Sequence, residues 1–81
     1  MQKETTILNF FEGSILRNFL ELIQEHKKTA TGEKFRKNLD KVIACEEITK
    51  QEKKNFEKIK MVVERLPDRL IEEALEKYGK E

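Results

Sequence analysis

The sequence predicts an all-α fold, a small bundle of three to four amphipathic helices in one domain. Apolar residues recur at spacings of three and four along most of the 81-residue chain, which is the period of one helix face. Charged residues make up 41% of the chain, and most are Glu and Lys, which are good helix formers. The sequence contains no Asn-Gly or Asp-Gly hairpin turn and no strand-like alternation of apolar and polar residues.

The first predicted helix covers about residues 6–28, with Thr6 as a candidate cap. Its apolar face comprises Leu8, Phe11, Ile15, Phe19, Leu22 and Ile23. Gly13-Ser14 is the weak point, because glycine inside a helix costs about 1 kcal/mol relative to alanine. Ser14 could also cap a fresh start at Ile15. The residues before Gly13 therefore either continue the helix or form a short separate helix or an extended arm.

Three further helices are predicted, over about residues 33–45, 50–66 and 67–79. Thr49-Lys50-Gln51-Glu52 matches the capping box, in which the Thr and Glu side chains satisfy backbone N–H groups at a helix start. Pro67 disfavours helical geometry at the residue before it but suits the first turn of a new helix. Residues 50–79 therefore form either two helices or one kinked helix.

The composition excludes several classes of protein. Cys45 is the single cysteine, so neither an intrachain disulfide nor a cysteine zinc cluster can form. No apolar run is long enough to span a membrane, and Asn9 and Glu12 interrupt the apolar centre that a signal peptide needs. We predict a cytoplasmic protein with no membrane association.

No catalytic motif is present, whether phosphate loop, dinucleotide fingerprint, metal-ligand spacing or nucleophile elbow. We therefore predict a protein that is not an enzyme and has no cofactor, metal or small-molecule substrate. His26, one turn past Leu22 on the apolar face of the first helix, is predicted to be structural. Cys45 is predicted to be a buried or half-buried packing residue.

A row of cations is the first candidate contact surface. Residues 33–65 carry ten Lys or Arg against seven Asp or Glu, although the whole chain has a net charge of only +1. Helical spacing places the cations opposite the apolar faces of the second and third helices. Such a face can neutralise nucleic-acid phosphates, or it can simply be solvated. The candidate nucleic-acid contacts are Lys34, Lys37, Lys41, Lys50, Lys54, Lys58 and Arg65.

Surplus apolar surface on the first helix is the second candidate. Ile7, Phe10, Leu16 and Leu20 widen its stripe beyond what one neighbouring helix would cover. Either this helix is central in the bundle or the residues form a protein interface in a homodimer, the commonest oligomer. We predict a non-catalytic protein–protein interaction module, an accessory subunit or regulator that self-associates. The alternative is a nucleic-acid-binding accessory protein.

Overall fold

The structure, a computed structural model, describes residues 6–81. A short 3-10 helix, Ile7–Phe10, is followed by four α-helices. These are α1 (Gly13–Gln24), α2 (Gly32–Ala44), α3 (Lys50–Val63) and α4 (Asp68–Tyr78). The described part of the chain contains no strand, and the predicted all-α fold is confirmed.

The helices pack around one apolar core. The main contacts join α1 to α3 and α4, and α2 to the same two helices, while the 3-10 helix packs on α4. Phe19 and Phe35 are fully buried near the centre, with ring centroids 5.8 Å apart in an edge-to-face arrangement. The core also includes Ile7, Phe11, Leu22, Ile23, Leu39, Phe56, Ile59, Val63, Ile71, Ala74 and Leu75.

The first helix is shorter than the predicted residues 6–28. Of the alternatives left open before Gly13, the structure shows the short separate helix, and α1 ends at Gln24. Gly13 has a φ of +61°, which residues with a Cβ rarely adopt and which separates α1 from the 3-10 helix. Directly after Gln24, the N–H groups of Glu25 and His26 still donate to the carbonyls of Leu22 and Ile23, and the segment that follows bonds to Lys80. The N–H of Lys80 donates to the carbonyl of His26 at 2.7 Å, and Lys28 N–H donates to the carbonyl of Lys80 at 2.8 Å.

The other predicted helices lie close to their observed positions. The largest difference is the end of α3, which stops at Val63 rather than at residue 66. Pro67 and Arg36 together account for this end, because Pro67 has no N–H to donate to the carbonyl of Val63. The guanidinium of Arg36 in α2 donates to the carbonyls of Val63 and Leu66, each at 2.7 Å. Pro67 is the extended residue immediately before α4, so the chain forms two helices here and not one kinked helix.

The predicted capping box at the start of α3 is confirmed. Thr49 Oγ accepts a hydrogen bond from Glu52 N–H at 3.0 Å, and Glu52 Oε1 accepts one from Thr49 N–H at 3.0 Å. We expect Thr49→Ala to lower the free energy of unfolding by about 1 kcal/mol, because one N–H of the first turn loses its partner. Urea denaturation followed by circular dichroism measures this, and Thr49→Ser, which keeps the hydroxyl, should stay close to the wild type.

Candidate functional site: an apolar groove with a cationic rim

A groove of about 460 Å³ lies between the 3-10 helix and the outer side of α3. We call it the α3 groove. Its apolar lining is formed by Phe10, Met61, Val62 and Leu66, and its charged lining by Lys54, Glu57, Lys58 and Arg65. Large hydrophobic side chains are exposed at only three of the described positions, Phe10, Met61 and Tyr78, and two of these lie in this groove.

The position of each groove residue on α3 follows from helical periodicity. Lys54, Lys58, Met61 and Arg65 are four, three and four residues apart, so they share one face. Phe56, Ile59 and Val63 occupy the opposite face and are buried in the core. The outer face of α3 is therefore not used to hold the bundle together.

Phe10 reaches the groove because the two adjacent phenylalanines point in different directions. Phe11 follows the 3-10 helix in extended conformation and is 7% exposed, with its ring 4.7 Å from that of Phe19. Phe10, in contrast, is 48% exposed. The core uses Phe11, so the exposed Phe10 ring is available for an external contact.

The four residues predicted to form a protein interface do not form one patch. Ile7 is wrong as an interface residue, because it is 1% exposed and packs in the core where the 3-10 helix meets α4. Phe10 lies in the α3 groove. Leu16 and Leu20 are half-buried and line a separate shallow depression on α1. The sequence places Leu16 and Leu20 on one flank of the predicted helix and Ile7 and Phe10 on the other, but it does not show that Ile7 turns into the core.

The structure divides the seven candidate nucleic-acid contacts between two helices. Lys54, Lys58 and Arg65 border the α3 groove, and Lys50 is exposed one turn before Lys54. On α2, Lys37 lies 3.3 Å from Glu33, and Lys34 borders a different cleft, beside His26. The remaining member, Lys41, is also exposed on α2.

An ion pair marks the side of α3 that faces α2. Lys60 Nζ lies 3.0 Å from Asp40 Oδ1, and the hydrogen bond and charge of Asp40 raise the pKa of Lys60. Lys58 and Lys60 are two residues apart and so point about 200° apart around the helix. The α2 helix therefore lies on the side of α3 away from the groove, and the cations of α2 do not extend the groove's rim.

Arg36 is the most connected charged side chain that the sequence reasoning missed. Besides its bonds to the end of α3, its Nε donates to Asp68 Oδ1 at 3.0 Å. One turn earlier on α2 and one turn later on α4, the backbone N–H of Gly32 donates to Glu72 Oε2 at 3.0 Å. These contacts join α2, α4 and the end of α3. The donors and acceptors satisfy one another, so the cluster is structural.

A second polar cluster lies between α1 and α3. Asn55 Nδ2 donates to Asn18 Oδ1 at 2.6 Å and contacts Ser14 Oγ at 3.3 Å. Asn55 Oδ1 accepts from Gln51 Nε2 at 3.1 Å. Asn18 and Asn55 are 8% and 4% exposed, so these bonds satisfy amides that burial removes from water. The cluster fixes the register of the two helices.

The histidine and the cysteine take different places. His26, predicted to be structural, is buried, with Nδ1 2.9 Å from the carbonyl oxygen of Leu22 and its ring centroid 5.4 Å from that of Phe35. Cys45 is exposed, so its prediction as a buried packing residue is wrong. It follows α2 in extended conformation, which turns it away from the apolar face of that helix.

Among residues 6–81, no group of three His, Cys, Asp or Glu side chains has the geometry to hold a metal ion. None of the helices described is both long and apolar enough to cross a membrane. Comparison with protein-family models, curated proteins and solved structures gives no match. The function must therefore be inferred from the chemistry of the α3 groove.

Proposed function

We propose that the protein is a non-catalytic protein–protein interaction module, an accessory subunit or regulator, that binds its partner through the α3 groove. The observation that supports this most directly is the exposure of Phe10 and Met61, 48% and 62%, beside each other in one groove. When a partner removes exposed apolar surface from water, the burial favours binding by roughly 25 cal/mol per Å². Methionine adds adaptability, because its flexible thioether fits partner surfaces of different shape.

The setting that we propose is cytoplasmic. Cys45 is free and exposed, and a reducing compartment keeps such a thiol from forming intermolecular disulfides.

A photo-crosslinking residue at position 61 tests the proposed function in the cells that produce the protein. We expect it to capture a partner that, once purified, binds the wild type and binds a Met61→Ala variant at least tenfold more weakly. The same residue at position 78 is the control, because Tyr78 is similarly exposed but lies outside the groove. Capture from position 78 and not from position 61 would contradict the proposal.

Self-association, which the sequence predicts, would use a surface of α1 that is separate from the α3 groove. Of the four residues predicted to form the dimer interface, Leu16 and Leu20 lie on α1. They are four positions apart and half-buried. We expect a dimer formed there to dissociate when Leu20 is replaced by Glu, because the new carboxylate would lose water in the interface. Light scattering over a range of concentrations measures this. A monomer of about 10 kDa throughout would rule out the dimer.

Nucleic-acid binding is the second candidate. Lys54, Lys58 and Arg65 favour it, because they bring three cations to one edge of a single surface. Binding through phosphates weakens steeply with added salt, because it is driven by the release of counterions from the nucleic acid. A titration of duplex DNA or RNA at several salt concentrations tests this candidate, and the absence of salt-dependent binding at low ionic strength would exclude it.

A further inference from the structure

We infer that the occupant of the α3 groove is an acidic amphipathic helix from another protein. This inference rests on the proposed function and specifies the chemistry of the partner. Three features of the described residues lead to it: the length of the groove, the positive charge of its rim, and the charges and apolar side chains that a second copy of the chain would present to it.

The dimensions of the groove fit a helix. Its lining extends from Lys54 of α3 to Leu66 in the turn after α3, twelve residues apart, which is about 18 Å at the rise of a helix. A partner helix of three to four turns has the same length. Apolar side chains at positions i, i+3 or i+4, and i+7 of such a helix form a stripe that can face Phe10, Met61 and Leu66.

The other common modes of peptide binding need structural features that the groove and the described residues do not have. Addition of a strand needs an exposed sheet edge, and residues 6–81 contain no sheet. Grooves that bind proline-rich segments are lined by several aromatic rings, whereas this groove has one, Phe10. A helix is the remaining common form of peptide with an apolar stripe.

The charge of the rim specifies an acidic partner. Three cations, Lys54, Lys58 and Arg65, border the groove together with one anion, Glu57. Lys54 and Lys58 are one helical turn apart, which is also the spacing of Glu residues at i and i+4 on a partner helix. Rim charges of opposite sign accelerate association and fix orientation, while like charges exclude wrong partners.

A second copy of this chain fits the groove poorly. In a symmetric dimer each groove would face the other, which brings six cations together with two carboxylates. The outer face of α4 is acidic, but its exposed large apolar side chain is Tyr78 alone, at the end of the helix. That face offers no series of apolar anchors. A different protein that combines such anchors with carboxylates is the better occupant.

Synthetic helical peptides test the inference on the full-length protein. The acidic probe is a helix of about 18 residues, about 27 Å long, with Leu at i, i+4, i+7 and i+11 and Glu on both flanks. The matched probe carries Lys in place of every Glu. Fluorescence anisotropy at low ionic strength should show the acidic peptide binding at least about tenfold more tightly than the basic one, a difference of about 1.4 kcal/mol.

Protein variants locate the binding. The Phe10→Ala/Met61→Ala double variant should lose at least about tenfold in affinity for the acidic peptide, and Tyr78→Ala should bind it as the wild type does. A charge-reversed variant, Lys54→Glu/Lys58→Glu, should instead prefer the basic peptide. This reversal is a gain of binding, so misfolding cannot imitate it.

Several results would overturn the inference. One is equal binding of the two peptides, and another is binding that the Phe10→Ala/Met61→Ala change leaves intact. A third is tight binding of duplex DNA. If Lys54→Glu/Lys58→Glu abolished that binding and Phe10→Ala/Met61→Ala left it unchanged, the cations would be assigned to nucleic acid. If position 61 captures a partner whose bound segment is basic or not helical, this inference fails while the proposed function stands. If it captures none, the proposed function fails.

Discussion

Replacement of Phe19 by alanine is expected to lower the free energy of unfolding by about 3–5 kcal/mol, a larger effect than we expect at any other position. Phe19 is 0% exposed, and its ring contacts those of Phe11 and Phe35. Truncation therefore removes buried apolar area and leaves a cavity that the rigid helices around it cannot fill. Because a domain of this size has a total stability of about 5–10 kcal/mol, a large part of its folding free energy would be lost.

Phe10→Ala is the matched control for Phe19→Ala. It makes the same chemical change on a ring that is 48% exposed, and surface substitutions usually alter stability by about 0.5 kcal/mol or less. Chemical denaturation followed by circular dichroism compares the two variants. An equal loss of stability in both would mean that Phe10 is as deeply packed as Phe19, which would also remove the basis for the α3 groove as a binding surface.

Arg36→Met is expected to cost about 2–3 kcal/mol. Methionine keeps an apolar stem of similar length but removes the donors to Val63, Leu66 and Asp68. Hydrogen bonds from charged groups contribute about 1.5–3 kcal/mol each, and partial exposure of this side chain reduces their sum. We also expect faster amide hydrogen exchange in the last turn of α3, measured by NMR, because the carbonyl of Leu66 loses its Arg36 donor and that of Val63 keeps only the N–H of Leu66.

Two variants control for the Arg36 result. Arg36→Lys keeps the charge but cannot donate in three fixed directions, so it should recover only part of the lost stability. Arg69→Met removes an exposed guanidinium of α4 and should change stability by about 0.5 kcal/mol or less. If Arg36→Met were as mild as Arg69→Met, the guanidinium would not be what ends α3.

Much of the fold could be predicted from local signals. The capping box located the start of α3, and helical spacing identified the buried faces of α2, α3 and α4. The first helix was mispredicted because the apolar spacing continues through Gly13 without a change of phase. The 3-10 helix before Gly13 packs on α4, which is a tertiary contact that apolar spacing does not encode.

The candidate site was only partly predictable for the same reason. Helical periodicity grouped Lys50, Lys54, Lys58, Met61 and Arg65 on one face, and all of these except Lys50 line the groove. The contribution of Phe10 could not be anticipated, because it requires the 3-10 helix to lie beside α3, whose groove residues begin 44 positions later in the sequence. The role of Arg36 was missed likewise, since its carbonyl acceptors are 27 and 30 residues away.

Amide exchange of Gly79 and Lys80 should be slower than that of an unrestrained turn after a helix. Turns with few hydrogen bonds usually open first. Here the backbone of Lys80 is hydrogen-bonded to the segment between α1 and α2. Gly79 lies so close to that segment that a Cβ at this position would be 3.0 Å from the carbonyl oxygen of His26. Opening of the last turn of α4 therefore requires the loop between α1 and α2 to loosen, so the two segments should lose their amide protection together.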